Sequence, residues 1–146
     1  MVDLLETRIQ NRQRVQPNDT NNYGSVHGGM VMLWMDEAAA LSAIRFTGEW
    51  CVTAHVDAID FLAPVPSGDT LYLDAYVYRA GRTSCSVRLR AYHEDPKTGD
   101  RVQTTDSNFV FVAVDEERNP AAVPELTCES EEAEQLRQAA RDAHGE

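Results

Sequence analysis

Three glycines within six residues, followed at once by a long run with almost no charge, constrain this chain more than any other feature. Residues 21–36 read NNYGSVHGGMVMLWMD and continue as EAAALSAIRF. A glycine in a helix interior costs about 1 kcal/mol relative to alanine, so the segment holding Gly24, Gly28 and Gly29 is expected to be loop. From Met30 to Phe46 the only charged residues are Asp36, Glu37 and Arg45. Such a segment reads as a helix that is apolar on nearly all sides and therefore buried. It is too short and too interrupted to span a membrane. A glycine pair at the mouth of a buried helix leaves unpaired N–H groups open to a ligand oxygen, and the helix dipole adds positive potential there. An acid one to two turns further on then requires a reason.

With 146 residues, the chain is expected to form one domain with a single core. The folded unit is placed at residues 1–120, and residues 121–146 are read as an acidic C-terminal helix or tail. The start lacks the basic and apolar blocks of a signal peptide, which makes the cytoplasm the expected compartment. Cys51, Cys85 and Cys128 are odd in number and unpaired in spacing, so free thiols are expected and no metal centre. A net charge of −11 argues against nucleic acid or an anionic membrane as partner. Of the 13 basic residues 12 are arginine, with Lys97 the single lysine, against 24 acids. An acid-rich, lysine-poor surface stays hydrated in concentrated salt, whereas at low salt its self-repulsion opposes compaction. A halophilic source is the expectation. The melting temperature should then rise between low and molar KCl; a flat response would overturn it.

Residues 5–15 alternate loosely and suit a first, edge strand, followed by a loop over 16–29. The helix should end near Thr47, with Gly48 as its C′ residue. A second strand is expected over 51–61, ended by the prolines and glycine of APVPSGD. Strands over 71–78 and 84–92 alternate cleanly and are joined by a hairpin at Gly81 and Arg82. The turn at 95–100 leads into a strand over 102–114. Ser130 is a plausible N-cap for a peripheral helix or frayed tail over 130–142. The resulting class is α+β: one long buried helix wrapped by a five-stranded antiparallel sheet.

That order of elements resembles the hotdog fold. The stretch from Asn21 to Gly29, with Asp36 nine residues after His27, resembles the Asn-x-x-Gly-x-[aliphatic]-[His/Phe]-Gly-Gly signature of hotdog acyl-CoA thioesterases, in particular the brain-acyl-CoA-hydrolase-like and YciA-like branch. Phe61-Leu62-Ala63-Pro64-Val65, Gly81-Arg82-Thr83-Ser84 and Phe111-Val112-Ala113-Val114-Asp115 are similar to further motifs of that branch, and the likeness spans about residues 5–120. The resemblance implies hydrolysis of acyl-CoA to a free acid and coenzyme A, with coenzyme A entering as substrate and no cofactor. An aryl- or phenylacetyl-CoA thioesterase is the alternative within enzymes. A non-catalytic acyl-CoA-binding sensor is the alternative outside them.

Thioester hydrolysis needs a polarised carbonyl, an activated water or other nucleophile, and a leaving thiolate. An oxyanion hole with one carboxylate can suffice. The N–H of Gly28 or Gly29 is the candidate oxyanion donor; a tight turn is the plainer role for the pair. Asp36, set in an apolar segment, should have its pKa raised by burial, and serves as general base or nucleophile. Arg45 lies nine residues away, roughly 13 Å along a helix, too far for a local pair. Glu37 points about 100° away and is a lesser candidate. Asn21, by resemblance the catalytic asparagine, could position the attacking water, or could shape the loop as an Asx turn. His27 is read as shaping the site, and His55 as lining the acyl or pantetheine channel or as an ordinary strand residue. Arg82, with Gly81, Thr83 and Ser84, offers a fork and hydroxyls suited to the phosphates of coenzyme A, or a solvated hairpin. The resemblance further implies a homodimer, assembling as a trimer of dimers, with Asn21 and the glycines from one protomer and Asp36 from the other.

Overall fold

The computed structural model describes residues 1–145. After a two-residue strand, β1 (Val2–Asp3), the chain makes a short 3-10 helix, Leu4–Thr7, inside the span expected to be strand. The cause is a capping box: the Asp3 carboxylate accepts from the Leu5 N–H at 3.1 Å, and Glu6 accepts from the Asp3 N–H at 3.3 Å. Buried Thr7 then ties this segment inward. Its hydroxyl accepts from the Val77 N–H at 3.0 Å, and its carbonyl accepts from Ser42 Oγ at 2.8 Å. The first long strand, β2 (Ile9–Arg14), follows.

With β3 (Trp50–Asp57), β4 (Thr70–Ala80), β5 (Ser84–Glu94) and β6 (Arg101–Val114), β2 forms a five-stranded, wholly antiparallel sheet in the order β2-β4-β5-β6-β3. The expected edge position of β2 holds, and β3 is the other edge. Helix α1 (Gly28–Thr47) packs against one face of the sheet and ends at Gly48, whose φ of 70° is the left-handed conformation anticipated for C′. Ala38, Ala39 and Ala43 let the helix approach closely, while Met35 and Phe46 fill the space before Phe109 and Phe111. Contrary to the expectation of burial all round, a broad face of α1 is open: Met32, Leu33 and Leu41 are 45%, 48% and 48% exposed.

The outer face of β4 is also covered. Helix α2 (Glu131–His144), N-capped by Ser130 accepting from the Ala133 N–H at 3.1 Å, packs with Leu4 over Tyr76 and Tyr78 as a second, smaller core. A two-residue parallel pairing of β1 with β7 (Leu126–Thr127) joins the chain's ends. Tyr76 donates from its hydroxyl to the Leu136 carbonyl at 2.7 Å, and Arg88 donates to the Tyr76 oxygen at 3.1 Å. Residues Glu131–His144 thus form a docked helix rather than a frayed tail.

Arg88 also grips Asp106 through two hydrogen bonds, at 3.0 and 2.6 Å, and His144 meets the same carboxylate at 2.7 Å. Burial pushes the Asp106 carboxyl up, but the hydrogen bonds from Arg88 and His144 outweigh it and hold the carboxyl below its usual range. A folded-state pKa below the unfolded value of about 3.9 stabilises the fold above that pH, and the gain is lost as pH falls through the folded value. Asp106→Asn should cost about 2 kcal/mol at pH 7, the worth of hydrogen bonds to a charged group. Urea midpoints of wild type and variant should stay apart from pH 7 to about pH 4 and draw together only as the pH falls further, through the lowered folded value.

Candidate active site

Loop residues 21–26 are stitched to residues 63–67 by Val26 N–H to Val65 O at 2.8 Å and Ser67 N–H to Gly24 O at 3.0 Å. The two segments wall a cavity of about 420 Å³ at the start of α1, lined by Asn21, Tyr23, Gly28, Phe61, Pro64 and Thr104 among others. Asn21 does the loop-shaping work: its side-chain Oδ1 accepts from the N–H groups of Tyr23 at 2.9 Å and Ser25 at 3.3 Å. Two donors fix the orientation of the amide. The turn role engages Oδ1 alone.

Gly28 and Gly29 are not loop, as the sequence suggested, but the first two residues of α1. The penalty for glycine falls on helix interiors, and at this end the N–H groups have no intrahelical partner. His27 is the N-cap, and its carbonyl accepts from the N–H of Met30 at 3.0 Å and Val31 at 3.2 Å. Among the described residues no protein acceptor takes the Gly28 or Gly29 N–H. A Cβ placed on Gly28 would sit 3.5 Å from the Phe61 ring, in the cavity, whereas one on Gly29 would meet nothing. The His27 side chain is exposed and makes no capping bond.

Asp36 lies eight residues past Gly28, about 12 Å along α1, and outside this cavity. It is half-buried on the open face of α1, one turn from Met32 and Leu33, rather than enclosed in the core. Its Oδ1 accepts a 2.6 Å hydrogen bond from the Thr53 hydroxyl, leaving Oδ2 available. Sequence reasoning missed Thr53. Thr53 lies opposite Phe111, on the α1 face, in the register that begins at Trp50, and the register shift that follows it sets His55 opposite Val110, on the outer face. His55 therefore points away from the helix. Glu37 is exposed.

The hairpin at Gly81, Arg82, Thr83 and Ser84 is firmly built: Gly81 N–H donates to Ser84 O, Ala113 N–H to Thr83 O and Val123 N–H to Arg82 O, all at 2.8–2.9 Å. It sits at the far end of the sheet from the cavity. Ser84 pairs with Val112, whereas Thr104 lies near Ala91, seven residues or about 24 Å along β5. One chain thus gathers Asn21 and Gly28 in a cavity and holds Asp36 with Thr53 apart from it, with the hairpin more distant still. No group of three or more His, Cys, Asp or Glu stands close enough to hold a metal, and no helix is long and apolar enough to cross a membrane, among the described residues.

A long helix laid across a five-stranded antiparallel sheet, with a ligand-sized cavity at its glycine mouth, defines a hotdog-fold protein. The sequence profile of the thioesterase superfamily matches residues 23–99. The chain belongs to that superfamily. It is 36% identical over 127 residues to the uncharacterised acyl-CoA thioester hydrolase YkhA of Bacillus subtilis, covering 87% of this chain and 74% of that one. The acyl-CoA hydrolase of Staphylococcus aureus, solved with butyryl coenzyme A, coenzyme A and coenzyme A disulfide, superposes with a TM-score of 0.87 at 31% identity, covering 96% of this chain and 85% of that one. A hexameric acyl-CoA thioesterase superposes equally well, at 0.87 with 35% identity over 97% of this chain and 92% of that one. The S. aureus hydrolase has also been solved with alanine replacing an asparagine, an aspartate and a threonine. Those three positions are separated by fifteen and seventeen residues, the separations between Asn21, Asp36 and Thr53.

Proposed function

We propose that this chain is an acyl-CoA thioester hydrolase whose site is shared between two copies. The observation that carries the reading is the division of the machinery within one chain: donors at the cavity, and a Thr53-held carboxylate on an open apolar face. Antiparallel apposition of two β3 edges about a two-fold axis would bring each Asp36 face, and each Gly81 hairpin, toward the other copy's cavity. It would also pair a strand edge that is otherwise bare.

In this arrangement the thioester carbonyl oxygen points at the Gly28 and Gly29 N–H groups, which take up negative charge as the tetrahedral intermediate forms. Asn21, its Oδ1 engaged by the loop, holds the oxygen of the attacking water through Nδ2. Asp36 of the other copy takes the water's proton on Oδ2, while Thr53 fixes the carboxylate through Oδ1. Collapse of the intermediate breaks the carbon–sulfur bond and releases the thiolate of coenzyme A. Attack by Asp36 itself, through a mixed anhydride, uses the same geometry. Arg82, Thr83 and Ser84 meet the phosphates of coenzyme A, and no metal or further cofactor takes part. The hexameric relative supports a trimer of dimers.

The test is thiol release from short, medium, long and aromatic acyl-CoAs in molar KCl, the condition chosen for a salt-adapted cytoplasmic enzyme. Turnover establishes the hydrolase, and the panel divides acyl from aryl substrates. Binding of acyl-CoA without turnover would favour the sensor instead.

A further inference from the structure

The chain leaves β3 through a kink that brings one aromatic side chain against the glycine mouth of α1. Ala58, the residue after β3, has a φ of 61°, in the left-handed region that few residues other than glycine adopt. Strain of this kind persists where the surroundings over-determine it, and here three hydrogen bonds do so. Ser107 Oγ donates to the Asp57 carbonyl at 2.7 Å, Leu62 N–H to the Thr104 carbonyl at 2.9 Å, and Val26 N–H to the Val65 carbonyl at 2.8 Å. Phe61 stands between the first two of these ties. It lines the cavity yet is 50% exposed, so its ring is not core.

The Cε2 and Cζ atoms of that ring both lie 3.5 Å from the point where a Gly28 Cβ would stand. With a carbon–carbon bond of about 1.5 Å, the ring edge is within about 5 Å of the Gly28 Cα. Carbons in contact are about 3.5–4.0 Å apart, so no ligand atom fits between the two, and the ring closes the cavity on the Gly28 side. Much of the remaining lining is aliphatic, from Val26, Val31, Ala63, Pro64 and Val65, and the Thr104 hydroxyl is already engaged, donating to the Ala91 carbonyl at 3.1 Å. Such a wall suits a hydrocarbon chain better than the amide-bearing arm of coenzyme A, whose amides need partners.

We infer that Phe61 is the specificity-determining residue of this cavity: its ring meets the acyl carbons next to the thioester carbonyl, admits a straight chain and turns away groups that are bulky at that point. The inference rests on the hydrolase reading, with Gly28 as a donor to the carbonyl oxygen. A straight chain sets one methylene beside the ring, whereas an aryl or α-branched group sets two carbons there at once. The substrate class is then straight-chain acyl-CoA rather than aryl-CoA.

The test is kcat/KM for butyryl-, hexanoyl-, isobutyryl- and benzoyl-CoA. The wild type should favour the two straight chains. Phe61→Ala should raise the isobutyryl-to-butyryl and benzoyl-to-butyryl ratios at least about tenfold, the low end of what one methylene is worth in an apolar pocket. Phe61→Trp should lower the isobutyryl ratio, and Leu62→Ala, at an exposed neighbour whose backbone tie is kept, should leave both ratios as they are. A wild type that hydrolyses none of the four would sink the hydrolase reading. The wall is then read by calorimetry with S-(2-oxopentyl)- and S-phenacyl-coenzyme A, ketones that keep the carbonyl and cannot be hydrolysed, and the same shift in ratio is expected. Ratios unmoved by Phe61→Ala, or a KM raised alike for all four substrates, which would put the ring against the coenzyme A arm, would overturn the inference while leaving the hydrolase standing. Failure of both ketones to bind would overturn it as well.

Discussion

Asp36→Asn lowers the rate of thiol release from acyl-CoA by about 10³-fold, within the range that a positioned general base contributes. The substitution keeps the shape of the side chain and the acceptor for Thr53, which donates at 2.6 Å, and removes only the charge. Assembly and coenzyme A binding should therefore survive, and the loss should fall on kcat rather than KM. Thr53→Ala should have a smaller effect of the same kind, because it removes one hydrogen bond and leaves the carboxylate in place. A variant that stayed within a few-fold of wild type would remove Asp36 from the chemistry.

Leu41→Glu should dissociate the assembly and abolish turnover. Leu41 is 48% exposed in the single chain, on the broad open face of α1 two turns beyond Leu33, and such an exposed apolar face on an acidic protein needs a cover. At a two-fold interface a residue near the axis meets its own copy, so one substitution places two carboxylates in one apolar contact. Light scattering should report a smaller particle, with the helical circular dichroism signal retained because the side chain is not in the core. Turnover should fall by more than about a hundredfold, since a lone chain keeps Asn21 and Asp36 in separate places. Val102→Glu is the control: that side chain is 51% exposed, at the start of β6, and its replacement should change neither mass nor rate.

What the sequence revealed and what it hid divide along physical lines. The long apolar run of α1, its Gly48 terminus and the hairpin at Gly81 were legible because helix ends and tight turns are written in local residue types. Asn21 was legible as a candidate, yet its two roles looked exclusive until the structure used Oδ1 for the turn and left Nδ2 unassigned. The first turn of α1 was misjudged because glycine propensity describes helix interiors and not first turns. The 3-10 helix at Leu4–Thr7 was hidden by loose alternation, although Asp3 and Glu6 carried the capping signal. Thr53 was out of reach for a different reason. Its bond to Asp36 joins a strand to a helix seventeen residues earlier, a tertiary contact that no local pattern records, whereas the register shift that follows it is what turned His55 outward. The open face of α1 looked like core because composition cannot distinguish a face buried in its own chain from one left open.

The most direct test mixes two inactive proteins. Asn21→Ala and Asp36→Asn are each unfolded, combined in equal amounts and refolded together, and thiol release from acyl-CoA is compared with that of each parent treated alike. If each site takes Asn21 from one copy and Asp36 from the other, half the dimers are mixed and each mixed dimer regains one intact site of two. Activity should then return to about a quarter of wild type. If both residues serve the same site from one chain, no combination restores it, and a mixture as inactive as its parents would contradict the shared site.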